Sequence, residues 1–203
     1  MHSPTLRSPT TRALPAPTST ATEASAPRVR ILALGVLALV AVCVLTLDQI
    51  AKFLVIENLT ERQPVAVLGD FVQFYFVKNA GAAFSLGSGS TWVFAIIASA
   101  VAVFIIVFAP RIRSLAWAVL FGLLLGGNLG NLADRLFREP GFGVGHVIDF
   151  IKVQYFPAIF NVADMAIVAS MAVFIILTVR GVGLAGSAAV PVEKQKSTSS
   201  DVA

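Results

Sequence analysis

Four long apolar runs divide the chain, and polar residues gather at their borders. The first covers Ile31 to about Leu47 and continues past Asp48 as DQIAKFLVI; the others are Thr91 to Ala109, Leu115 to about Ala133, and Ala158 to Val179. Each is close to the ~20 residues that a helix needs to cross a bilayer. Between the first two, QPVAVLGDFVQFYFV (Gln63 to Val77) reads as two β-rich runs about a Leu68-Gly69-Asp70 turn. Phe71, Phe74, Tyr75 and Phe76 make this hairpin too apolar for a free aqueous strand. A small sheet resting on the headgroup layer is expected, where aromatic rings favour the interface. The pattern predicts a membrane all-α class: four transmembrane helices with a small extracytoplasmic β-sheet or lid. The domain spans 28–180, and the tails 1–27 and 181–203, rich in Ser, Thr, Pro, Ala and Gly, are expected to be disordered.

Charge orients the spans. Arg28 and Arg30 precede the first, Arg111 and Arg113 fill the short link between the second and third, and Arg180, Lys194 and Lys196 follow the fourth. With four spans these positions share one side, and the positive-inside rule makes it cytoplasmic, both termini included. Asp48, Asn131, Asp134, Asn161 and Asp164 then fall near the outer ends of their spans. Asp164, six positions after Ala158, is expected about 9 Å down its helix at ~1.5 Å per residue. Scattered structural polar groups have no reason to meet at one depth. The loop after the third span carries Gly141, Gly143 and Gly145 before His146 and Val147-Ile148-Asp149-Phe150, which suits a lid that opens to substrate.

Composition narrows the class. Charged residues make up 13% of the 203 positions and hydrophobic residues 57%, against about 25% charged in soluble domains. The formal charge of +4 is spread between apolar runs rather than clustered on a soluble face, so nucleic acid is not an expected partner. With one cysteine, Cys43, no intramolecular disulfide is possible. Val42 just before it is a poor cleavage residue, and three further spans do not fit a secreted lipoprotein. His2 and His146 are the only histidines, so neither a metal site nor a cofactor is expected.

The candidate chemistry lies in carboxylates. A carboxylate at the membrane centre costs roughly 2.5–3.5 kcal/mol on insertion scales, so those beside the spans call for a cavity, a partner or a reaction. Asp149 and Asp164 are the expected catalytic acids. Two close carboxylates share one proton and titrate together, which gives general acid–base hydrolysis without a covalent intermediate. Solvation of Asp149 at the interface and an ion pair of Asp164 with Arg135 or Lys52 are the competing structural readings. Asp134, with Arg135 beside it, reads as a helix-end charge. Asn131 and Asn161 suit donation to carboxylates or interhelical bonding. Asp48 and Lys52 have the i, i+4 spacing of an ion pair, and Gly126, Gly127 and Gly130 give the third span a small face for close packing. The glycines do not form a phosphate loop, because no Gly-Lys-Ser/Thr follows.

Five blocks, in order, resemble the lipoprotein signal peptidase (signal peptidase II) family. Asp48-Gln49-Ile50-Ala51-Lys52 is similar to its D-Q-x-x-K block, and Asn79 to Phe84 to N-x-G-A-A-F. Gly126 to Arg135 follows G-G-x-x-G-N-x-x-D-R, Val147 to Ile151 follows V-x-D-F-I, and Phe160 to Asp164 follows F-N-x-A-D. The resemblance covers about Ile31 to Arg180. It implies an intramembrane aspartic endopeptidase of the bacterial cytoplasmic membrane, its site near the extracytoplasmic face. The implied substrates are diacylglyceryl-modified prolipoproteins, cut just before the lipidated cysteine. The resemblance gives Asp149 and Asp164 the catalytic positions and Asp48, Asn79, Asn131, Arg135 and Asn161 the orienting ones; Asp134 is its alternative catalytic partner for Asp164, ranked below Asp149 because its neighbour Arg135 offers it a structural role. Membrane lipids are the other expected partners, and the expected state is a monomer. Asn128 departs from a small apolar position and adds polarity near the pocket; Met165 stands where serine is common, and the 138–145 loop is Gly-rich.

Two other classes are compatible with intramembrane carboxylates. A proton or solute translocator needs polar residues at several depths, whereas the inner halves of these spans are almost purely apolar. A non-catalytic scaffold has no need of the aspartates. A G-x-G-D intramembrane protease is not matched, since His146 follows Gly143-Val144-Gly145.

Overall fold

The computed structural model describes residues 25–81 and 91–184. It contains four long helices: α1 (Ser25–Asn58), α2 (Thr91–Phe108), α3 (Leu115–Phe137) and α4 (Val162–Val179). All four are long and apolar enough to cross a membrane. The strands are β1 (Pro64–Leu68), β2 (Val72–Asn79), β3 (Val147–Val153) and β4 (Ile159–Phe160), in one antiparallel sheet of order β1-β2-β3-β4. The predicted hairpin is β1–β2, turning at Gly69 with φ +55, a left-handed conformation that glycine adopts without a Cβ penalty. The tails expected to be disordered lie outside the described residues, except that Ser25–Pro27 begin α1 and 181–184 follow α4.

Helix α3 is the hub. It packs against α1, α2 and α4 and touches β3. Its glycines permit this. A Cβ on Gly126 would stand 2.7 Å from the Ala41 carbonyl of α1, and one on Gly127 2.5 Å from the Ala163 carbonyl of α4. A Cβ on Gly130 would meet the Asp48 carboxylate at 2.6 Å. Small residues let backbones approach this closely, and dispersion then holds the helices together where lipid supplies no hydrophobic drive. The outer faces stay apolar and open: Ile96, Val103, Phe104 and Val107 of α2 are each more than half exposed, as suits contact with acyl chains.

Two expectations need correction. The fourth span does not begin at Ala158. Ile159 and Phe160 pair with β3 as β4, and the helix starts at Val162 with Asn161 as its N-cap. The Asn161 side chain accepts the Asp164 N–H, and the Asp164 carboxylate accepts the Asn161 N–H, a reciprocal capping box. Asp164 therefore sits in the first turn of α4, not about 9 Å into it. The segment Val147–Phe150 is also not a free lid: it is buried in β3, with Asp149 opposite Val77 of β2. The Gly-rich loop is tied down by Gly145, whose N–H donates to the Arg135 carbonyl at 2.9 Å. A Cβ on Gly145 would collide with the Asp134 carbonyl, so the loop lies flat on the end of α3.

Candidate active site

At the sheet end of the bundle, a cleft of about 580 Å³ is lined by Asn79, Asn131, Arg135, Asp149 and Asp164, with Arg62 and Lys78 among its other walls. Each polar group comes from a different local device. Strand alternation points Asp149 inward from β3, with 3% of its surface exposed. The capping box fixes Asp164 at the start of α4. Asn131 and Arg135, four residues apart, share one face of α3.

Three amides join the carboxylates. Asn161 Nδ2 donates to Asp149 Oδ1 at 2.6 Å, while its own Oδ1 accepts from Asp164 N at 2.9 Å. Asn79 Nδ2 donates to Asp149 Oδ2 at 2.8 Å. Asn131 Nδ2 donates to Asp164 Oδ1 at 2.8 Å. Each carboxylate thus accepts two N–H groups, the second on Asp164 coming from Asn161 N at 3.2 Å. Burial pushes the Asp149 carboxyl up to about 6. The Asn79 donor opposes that rise, the Asp164 charge reinforces it, and the Asn161 donor and the Lys52 charge oppose it.

Behind the cleft lies a buried ion cluster. Lys52 Nζ stands 2.7 Å from both Asp48 and Asp134, all three side chains fully buried. Asp134 also accepts from Arg138 Nε at 2.5 Å, Gln49 Nε2 at 3.3 Å and Ile148 N at 3.3 Å. Its basic partners are therefore Lys52 and Arg138 and not its neighbour Arg135, because successive helix side chains diverge whereas i, i+4 residues meet. Asp48 does not line the cleft. Its Oδ1 accepts from Ala163 N at 2.9 Å and caps the start of α4 from the side of α1. Arg135 donates through Nη2 to the Gly81 carbonyl at 2.8 Å and lies over the Phe94 ring, 5.1 Å from its centroid. Among the described residues, its Nη1 is the one buried side-chain nitrogen or oxygen without a hydrogen-bond partner.

The ion pair of Asp164 with Arg135 or Lys52, the competing structural reading, is not formed; amide donors hold Asp164 instead. Asn128 does not reach the pocket: its Nδ2 donates to the Ala98 carbonyl of α2 at 2.8 Å, bonding two helices. His146 lines a separate, smaller cavity beside Lys78 and Glu139. Ala82, Ala83 and Phe84 of the second sequence block lie outside the described residues. Sequence reasoning missed Gln49 and Arg138. Arg138 had a signal in its i, i+4 spacing from Asp134, while Gln49 had only its place in the D-Q-x-x-K block.

Four span-capable helices, a sheet across one end and two amide-clamped carboxylates in one cleft define a multi-pass membrane protein of hydrolytic type. The chain belongs to the signal peptidase II family of aspartic peptidases, whose pattern matches residues 40–180. The lipoprotein signal peptidase of Leifsonia xyli is 60% identical over 184 residues, 90% of this chain and 85% of its own. Those of Streptomyces coelicolor and Mycobacterium tuberculosis are each 46% identical, covering 72% and 70% of both chains respectively. A solved bacterial membrane enzyme, 28% identical, superposes with a TM-score of 0.65 over 72% of this chain and 89% of its own.

Proposed function

We propose that this peptidase removes signal peptides from diacylglyceryl-modified prolipoproteins, cutting just before the lipidated cysteine, with Asp149 and Asp164 as its catalytic pair. It works in the bacterial cytoplasmic membrane as one domain over 28–180. Both termini are cytoplasmic and the cleft opens on the extracytoplasmic side. The observation that carries the assignment is the convergence of Asp149, from a strand, and Asp164, from a helix start, on one cleft with Asn161 bonded to both. Asp134 is ranked below them because Lys52 and Arg138 already neutralise it away from the cleft.

The chemistry follows from the shared proton. The ionised carboxylate takes a proton from a water molecule as its oxygen bonds to the scissile carbonyl carbon. The protonated carboxyl gives its proton to the carbonyl oxygen, producing a neutral tetrahedral diol. Collapse of the diol breaks the C–N bond. The carboxyl that gained the water proton protonates the departing nitrogen, and the other recovers a proton from the diol. Asn79, Asn131, Arg135 and Asn161 orient the carboxyls and the peptide. Acyl chains left in the bilayer anchor the substrate at about 0.8 kcal/mol per buried CH₂, so peptide sequence need contribute little.

The test is cleavage of a purified diacylglyceryl prolipoprotein in micelles. Asp149→Asn and Asp164→Asn are expected to lose at least about a hundredfold in kcat, the lower end for a general acid or base, while remaining folded. Asp134→Asn is expected to keep part of the parent activity. A dead Asp134→Asn beside an active Asp149→Asn would replace the assigned pair, and a folded parent that cleaves no lipidated substrate would sink the peptidase reading.

A further inference from the structure

All three amides in the site face the same ambiguity. An Asn side chain rotated by 180° offers oxygen where it had offered N–H, and a carboxylate then meets an acceptor. Each carbonyl is held by a donor that cannot reverse. Gly81 N donates to Asn79 Oδ1 at 3.0 Å, and Asp164 N to Asn161 Oδ1 at 2.9 Å. Backbone N–H groups do this for two amides. For Asn131 the Oδ1 accepts from Lys52 Nζ at 3.0 Å and from Asn161 Nδ2 at 3.1 Å. The Asn161 donor is shared with Asp149 at the shorter distance of 2.6 Å, so the ammonium is the dedicated one. An ammonium has three donors and no acceptor. The other two donors of Lys52 are spent on Asp48 and Asp134, which keep it charged and in place.

We infer that Lys52 is a positioning residue for catalysis: by holding the Asn131 carbonyl it aims the Asn131 N–H at Asp164 and keeps Asp164 the water-activating member of the pair. The inference rests on the assignment of Asp149 and Asp164 as that pair. Without the ammonium, Asn131 is free to turn its oxygen to Asp164, which then bonds it only as a protonated carboxyl. The proton moves to the wrong partner, and the base is lost. The charged groups around the pair are Asp48 and Lys52 from α1, Asp134 and Arg135 from α3, Arg138 at its C-cap, Lys78 from β2, and Arg62 ahead of β1. Of the basic groups among these, Lys52 alone donates to an amide that holds a carboxylate of the pair.

The experiment compares the parent enzyme with Asp48→Asn, Asp48→Asn/Lys52→Met and Asn131→Ala, each checked for thermal unfolding in detergent. The double variant removes one positive and one negative buried charge together. Asn131→Ala leaves the ion cluster whole. Both are expected to lower kcat about tenfold to a hundredfold with KM little changed, a fraction of the range for general acid–base catalysis. Both are also expected to move the acidic limb of the kcat–pH profile up by about one pH unit, because the base of the pair loses a donor to its carboxylate. Asp48→Asn alone retains the Lys52–Asn131 bond and is expected to keep the limb where the parent has it. Adding Asn131→Ala to the double variant should cost nothing more, since both act through one amide. A folded double variant with the kcat and limb of Asp48→Asn overturns the inference, as does additive loss. So does an Asn131→Ala enzyme with the parent's kcat and limb, however the Lys52 variants fold. Activity surviving in Asp149→Asn or Asp164→Asn instead overturns the pair itself.

Discussion

Asp149 shows how a single side chain links burial to chemistry. Its carboxyl stands at about 6 in the folded chain against an ordinary 3.8. Ionising it in place is therefore unfavourable relative to the unfolded chain. The penalty is absent below about pH 4, grows between 4 and 6, and is fully present above 6. At 1.36 kcal/mol per unit it amounts to about 3 kcal/mol. Melting temperatures of the parent in detergent should fall as pH rises across that window, and Asp149→Asn should flatten the fall; parallel curves for the two proteins would refute this. The same raised value makes Asp149 the natural holder of the proton in the proposed catalytic pair. The kcat/KM of the parent should decline as pH rises through an apparent value near 6 or above, read from initial rates over pH 5–9 on lipidated substrate.

Among the elements, the start of α4 concentrates most of the design. Asn161 caps the helix, bonds Asp149 and Asn131, and receives the Asp164 N–H. An Asn161→Ala substitution removes both a cap, worth about 1 kcal/mol, and the bond between the carboxyls. Its expected result is a modest loss of thermal stability with a much larger loss of kcat; equal, small effects on both would reduce Asn161 to a cap. The close approach of α3 to α1 and α4 supports the same spot. A methyl on Gly130 would press on the Asp48 carboxylate that caps Ala163. The hydrogen bonds of this region were not legible in the chain order. The sequence marks Asn131, Asn161 and Asp164 as polar residues in apolar runs, but a run of hydropathy does not mark where a strand ends and a helix begins. Pairing of Ile159 and Phe160 with β3 decided that.

The whole molecule explains why, among the described residues, the polar cluster occurs once and at one end. Elsewhere in the spans, Ser99, Ser170 and Thr178 bond to carbonyls of their own helices at 2.6–2.8 Å. Asn128 is spent between α3 and α2. A translocation path needs polar groups in series through the bilayer, and these are already satisfied locally. Orientation has a direct check. With Cys43 replaced by Ser, a cysteine at the exposed Asp70 turn should react with a membrane-impermeant maleimide added to intact cells, and one at Arg111 should not. The reverse pattern would invert the proposed topology and place the cleft inside.

The sequence by itself determined the four spans, the hairpin at Gly69, the gathering of polar residues at one end of the spans and the family to which the chain belongs. These depend on periodicity, length and local order, which neighbouring residues carry. Tertiary structure alone decided who partners whom. Lys52 could have paired with any of several aspartates, and it took Asp48 and Asp134 together with the Asn131 carbonyl. Asp134 chose Arg138 over Arg135, and Asp164 took amide donors in place of a cation. Such choices depend on distances between residues up to 115 positions apart, as for Asp48 and Ala163. They are fixed only when glycine contacts bring α1, α3 and α4 together, and in a buried site each donor must find its acceptor there or remain unpaired.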